Sequence, residues 1–112
     1  MTQTIAWEDT LEGLAAERNR WLVMRAPEAY RCGRCKQPFP FMCVTLTGLY
    51  APRAALSFHK ARITTAEQDE PRVRLEKLRA AYVTAGAPAG SPYAGYVRSL
   101  NRILAVWGDL PQ

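Results

Sequence analysis

A chain of 112 residues, 48% hydrophobic and 22% charged, has the balance of one folded domain, and this excludes a disordered or fibrous chain. Fifteen Lys and Arg against ten Asp and Glu leave +5 at pH 7, so an acidic partner is the class that the charge suits, nucleic acid included. No cation precedes the apolar residues of MTQTIAWEDTLEG, and the longest mostly apolar stretch, 39–51, is too short to span a bilayer. The expected location is cytoplasmic, away from membranes. There the three cysteines stay reduced, and their odd number argues against a disulfide framework.

Residues 4–25 predict a helix. Trp7, Leu11, Leu14, Arg18, Trp21, Leu22 and Arg25 recur at three- and four-residue spacing, with Thr4 as its N-cap. Residues 1–17 hold four acids and no base, whereas 18–36 hold six bases against Glu28. That polarity suits the helix dipole as well as it suits a binding surface. Pro27 forces Ala26 out of helical geometry and ends the helix.

All three cysteines lie in the next segment, within YRCGRCKQPFPFMCV. Pro38 and Pro40 exclude a helix through its middle, and FMCVTLT (41–47) reads as a short strand ending at Gly48. Residues 52–63 predict a second helix with Pro52 at its first position and Leu56, His59 and Ile63 on one face; a return strand of a hairpin is the alternative. TTAEQDE (64–70) reads as a polar connector or a frayed helix start. Pro71 opens a helix over 71–85 with a Leu75, Leu78, Tyr82 stripe, stopped by Gly86. The last helix, 92–107, is capped by Ser91. Its stripe is Tyr93, Val97, Leu100, Leu104 and Trp107, and Gly108 follows. The expected fold is α+β but mainly α: three to four helices around a small zinc-knuckle and β-hairpin unit, in one domain over 1–112.

Chemistry concentrates in Cys32-x2-Cys35-x7-Cys43-x15-His59, which uses every cysteine and the single histidine. Structural zinc takes four such ligands in a tetrahedron. Gly33 suits the tight turn between Cys32 and Cys35. The opening Tyr30-x-Cys32-x2-Cys35-x3-Phe39 resembles that of a Cys2His2 finger, but the likeness ends at Phe39. The next histidine stands 24 residues after Cys35, and no second histidine exists. A finger needs about 12 intervening residues, so this is a different Cys3His arrangement. The expected cofactor is structural Zn2+ on Cys32, Cys35, Cys43 and His59.

If His59 joins the site, Arg31, Arg34, Lys36, Lys60 and Arg62 gather round one metal. Two explanations compete: the cations hold phosphate, or they steady three thiolates. Tyr30, Phe39, Phe41 and Tyr50 either stack on bases or fill the core beside the knuckle. No phosphate-loop glycines, paired carboxylates or HExxH motif occur, so no enzyme activity is expected. The leading expectation is a small zinc-stabilised accessory or regulatory protein that binds nucleic acid or a nucleoprotein complex through these basic residues. The alternatives are a protein-interaction factor, such as an inhibitor or a subunit, and a dithiol redox protein.

Overall fold

The computed structural model describes residues 6–47, 51, 54, 55, 57–86 and 90–112. It is mainly helical. In chain order come a 3-10 turn at Trp7–Asp9, α1 (Leu11–Met24), a 3-10 turn at Ala26–Ala29, α2 (Lys60–Glu67), α3 (Pro71–Ala85), α4 (Tyr93–Ala105) and a 3-10 turn at Trp107–Asp109.

The first predicted helix is broken near its start. Thr10 is extended (φ −80°, ψ 160°) and caps α1 by accepting the Gly13 amide at 3.0 Å, while its hydroxyl donates to the Trp7 carbonyl at 2.6 Å. Gly13 permits this fold-back, since a Cβ there would lie 1.9 Å from the Trp7 oxygen. The cap predicted at Thr4 lies outside the described residues. At its other end α1 gives way to the 3-10 turn containing Pro27.

Helices α1, α3 and α4 enclose the core, with α3 packed most extensively on α4. Leu14, Ala15, Leu75, Leu78, Leu100, Ile103 and Leu104 are buried there with Ala26 and Leu110. Each buried leucine contributes about 1.5–3 kcal/mol. Tyr82 is the centre of an aromatic cluster, 4.8 Å from Tyr93, 5.3 Å from Tyr96, 5.5 Å from Phe39 and 6.5 Å from Trp21, ring centre to ring centre. Its hydroxyl meets the buried Glu28 carboxylate at 3.4 Å, and Glu28 also accepts from Arg25. Phe39 therefore ties the cysteine segment to the bundle.

Two expectations change here. A β-hairpin is not shown: among the described residues a single antiparallel bridge joins Val44 to Ala54, with the Ala55 amide donating to the Cys43 carbonyl at 2.8 Å. The Phe41 carbonyl, a potential ladder acceptor, is taken by the Arg62 guanidinium at 2.8 Å. The second helix begins late, at Lys60, and runs through most of the predicted connector. Its predicted start at Pro52 lies outside the described residues, but Ala54, Ala55, Ser57, Phe58 and His59 are described and non-helical. His59 is held extended (φ −62°, ψ 145°) at the N-cap because its ring and amide are both committed to cysteine sulfurs. By contrast α3 occupies the predicted range, and α4 ends at Ala105, before Trp107. Ser91 Oγ accepts the Tyr93 amide at 3.1 Å, one residue outside the N-cap, Pro92.

Candidate metal centre

The side chains of Cys32, Cys35, Cys43 and His59 converge, with their ligand atoms within 4.8 Å of one another. Three elements deliver them: the knuckle, the extended segment bridged to Ala54, and the N-cap of α2. Cys32 and Cys43 are fully buried, and Cys35 and His59 are half-buried. Cys32 Sγ lies 3.6 Å from His59 Nδ1. A tetrahedral zinc with bonds of about 2.3 Å to sulfur and 2.0 Å to nitrogen separates those two ligands by about 3.5 Å. The donor set and its spacing fit a thiophilic divalent cation.

Backbone amides point at the sulfurs. Those of Arg34 and Cys35 donate to Cys32 Sγ at 3.3 and 3.5 Å, and that of His59 donates to Cys43 Sγ at 3.3 Å. The knuckle closes through Lys36 N to Cys32 O (2.9 Å) and Cys32 N to Gln37 O (3.0 Å). Its left-handed residue is Lys36, at φ 65°, and not Gly33. The Lys36 ammonium folds back to the Gly33 carbonyl at 2.7 Å.

Burial opposes ionisation of Cys32, but the Cys35 and Arg34 amides and the His59 ring outweigh it and bring the thiol down to about 6. Burial pushes the Cys43 thiol up, against the pull of the His59 amide and the Arg62 guanidinium. A metal bound there would have to displace the proton of Cys43, and such binding would strengthen as pH rises.

The five predicted cations divide. Arg31, Arg34, Lys36 and Lys60 are exposed; the Arg31 guanidinium donates to the Lys36 carbonyl at 3.0 Å. None of the four pairs with a carboxylate among the described residues, and no Asp or Glu occurs between Glu28 and Glu67. Arg62 cannot be a phosphate contact, because it is fully buried. Its Nε meets the Pro27 and Tyr30 carbonyls at 2.8 and 2.6 Å, Nη2 the Glu28 carbonyl at 3.0 Å, and Nη1 the Phe41 carbonyl at 2.8 Å and Cys43 Sγ at 3.7 Å. The Phe58 ring covers it. Its spacing of three from His59 places it on the inner face of α2, a signal that the sequence carried but that its charge obscured.

The aromatics divide too. Phe39 packs into the core, and Tyr30 donates to Asp69 at 2.6 Å with the Lys77 ammonium over its ring. Phe41 is 59% exposed, and Tyr50 lies outside the described residues. No known protein family, curated protein or solved structure matches the chain. No helix among the described residues is long and apolar enough to cross a membrane.

Proposed function

We propose that this chain is a small non-enzymatic module in which a Zn2+ ion on Cys32, Cys35, Cys43 and His59 organises a basic rim that binds nucleic-acid phosphates. The observation that carries it is the rim itself. Arg31, Arg34, Lys36 and Lys60 are exposed, without carboxylate partners among the described residues, on the knuckle and at the start of α2, each next to a candidate metal ligand in sequence. A run of sequence free of acids between Glu28 and Glu67 keeps the surrounding potential positive. Zinc would supply the scaffold and no chemistry, since all four positions are filled by protein ligands. Exposed Phe41 adds an apolar face two residues from Cys43.

The test is fluorescence anisotropy with labelled duplex and single-stranded oligonucleotides across a salt series, beside native mass spectrometry for bound metal. Four phosphate contacts give a slope of log affinity on log salt of about −3.6 on duplex or about −2.8 on single strands. Metal-loaded protein that binds neither at low salt sinks the proposal, and co-purification with one acidic protein then favours a protein-interaction factor.

A further inference from the structure

We infer that Arg62 is the positioning residue and counter-charge of the metal centre: its buried guanidinium packs against Cys43 Sγ and balances the net negative charge of a divalent metal held by three thiolates. This rests on the reading of Cys32, Cys35, Cys43 and His59 as one metal site. A guanidinium keeps its charge in any folded protein, and burying it without an anion is strongly unfavourable. All ten acids of the chain lie among the described residues, and none pairs with Arg62. Glu28, whose carbonyl Arg62 does bind, commits its carboxylate to Arg25 and Tyr82, and Asp69 commits its own to Tyr30 and Lys77. Four backbone carbonyls satisfy most of the N–H groups of Arg62 but supply no net charge. Among the described residues the one group in contact that becomes anionic is Cys43 Sγ, 3.7 Å from Nη1. A divalent cation with three thiolates and a neutral imidazole carries −1, which matches one guanidinium. The site therefore selects metals that hold all three cysteines as thiolates.

The carbonyl bonds also give Arg62 a purely structural role, and two substitutions separate the roles. Lysine at this position keeps the charge but has no planar fork, so it cannot reproduce the bonds to all four carbonyls. Arg62→Met removes charge and bonds alike. The full-length protein is titrated with Co2+ against a chelator, following the thiolate-to-cobalt absorption, and urea unfolding is followed on the metal-free chain. Both variants should unfold at lower urea than the wild type. Co2+ affinity should fall by about 10- to 100-fold in Arg62→Met, the usual effect of losing a partner outside the ligand shell, and stay within about threefold in Arg62→Lys. Arg62→Met binding as tightly as wild type overturns the inference, and so do equal losses in both variants. If Arg62→Met does not fold, Arg62→Lys decides alone: affinity retained despite the lower urea midpoint upholds the inference, and affinity lost in step with it overturns it. Wild-type protein with no thiolate-to-cobalt band would overturn the metal reading itself, whereas a normal band with an indifferent Arg62→Met removes only the role of Arg62.

Discussion

Lys36→Gly separates the scaffold from the surface. Lys36 sits at φ 65°, where a residue with a Cβ loses about 1–2 kcal/mol and glycine loses nothing. Against that gain, glycine forfeits the exposed bond from Nζ to the Gly33 carbonyl, about 0.5 kcal/mol, and stabilises the unfolded chain by about 0.5–1 kcal/mol. The opposing effects nearly cancel, so the net change should lie within about 1 kcal/mol of zero and the centre should form as in wild type. The surface, however, loses one of its four cations. The salt slope should become shallower by about 0.9 on duplex or about 0.7 on single strands. Metal affinity by chelator competition and anisotropy between about 50 and 200 mM salt measure both effects on one preparation. Arg98→Ala, an exposed cation on α4, is the control and should leave metal affinity alone and move the slope less. Loss of metal binding in Lys36→Gly refutes the backbone argument. An unchanged slope, or an equal change in Arg98→Ala, refutes the assignment of Lys36 to a phosphate-binding rim.

Chelating the metal should strip hydrogen-exchange protection from 31–66 and leave the amides of Leu78, Tyr82, Leu100 and Ile103 protected. Between Arg31 and Ala66 the only buried apolar residues described are Cys32, Cys43 and Ala66, so beside the Phe39 contact and the Arg62 bonds a bound metal would be the main restraint on that segment; simultaneous loss in the bundle would contradict this. Gly13→Ala should destabilise the chain by about 1–3 kcal/mol in urea unfolding, because its Cβ would collide with the Trp7 carbonyl. Gly33→Ala should be near neutral, since the nearest atom to its Cβ is the Ala61 methyl at 3.7 Å. The hydrogen bond from Lys77, then that from Tyr30, lowers the Asp69 carboxyl below its ordinary 3.8. A group lowered by folding stabilises above its ordinary value and loses that contribution as pH falls through the folded one. The urea midpoint of wild type should therefore drop more steeply than that of Asp69→Asn between about pH 5 and pH 2.

The helices that the sequence marks at both ends are the ones that form where expected. Pro71 and Gly86 bracket α3, and Ser91, Pro92 and the stripe through Leu100 and Leu104 mark α4. Each signal is local, so no distant contact overrides it. The four side chains that converge were legible for a different reason: they are every cysteine and the single histidine, so composition named these candidate ligands without any geometry. What failed depends on contacts distant in sequence. Alanine-rich 51–61 favours a helix, yet His59 is drawn into an extended N-cap by Cys32 and Cys43, some 27 and 16 residues away. The strand at 41–47 has β-forming residues, but Arg62, 21 residues on, occupies the Phe41 carbonyl. The left-handed position in the knuckle falls on Lys36, where neither its residue type nor a neighbouring glycine announces it.

Charge was the least legible property, because a formal charge in a sequence does not say whether it lines a site or rims it. Moving Arg62 from rim to lining lowers the largest expected salt slope on duplex from about −4.5, for five contacts, to about −3.6, for four. It also alters the choice between the two explanations of the remaining cations. A trithiolate centre of charge −1 would need about one compensating cation, and on the inference above buried Arg62, close to Cys43 Sγ, would supply it from within. Arg31, Arg34, Lys36 and Lys60 are then surplus to the electrostatics of the centre. They stand exposed on a segment without a single carboxylate, and like charges held together at a surface raise its energy unless an anion joins them. An internal counter-charge thus weakens the argument that the rim exists to steady thiolates and strengthens the argument that it exists to meet a polyanion. The two substitutions should differ accordingly: Arg62→Lys leaves the salt slope of nucleic-acid binding unchanged, whereas Arg34→Ala makes it shallower while metal affinity holds. Metal affinity falling in Arg34→Ala would mean that the rim, too, serves the centre.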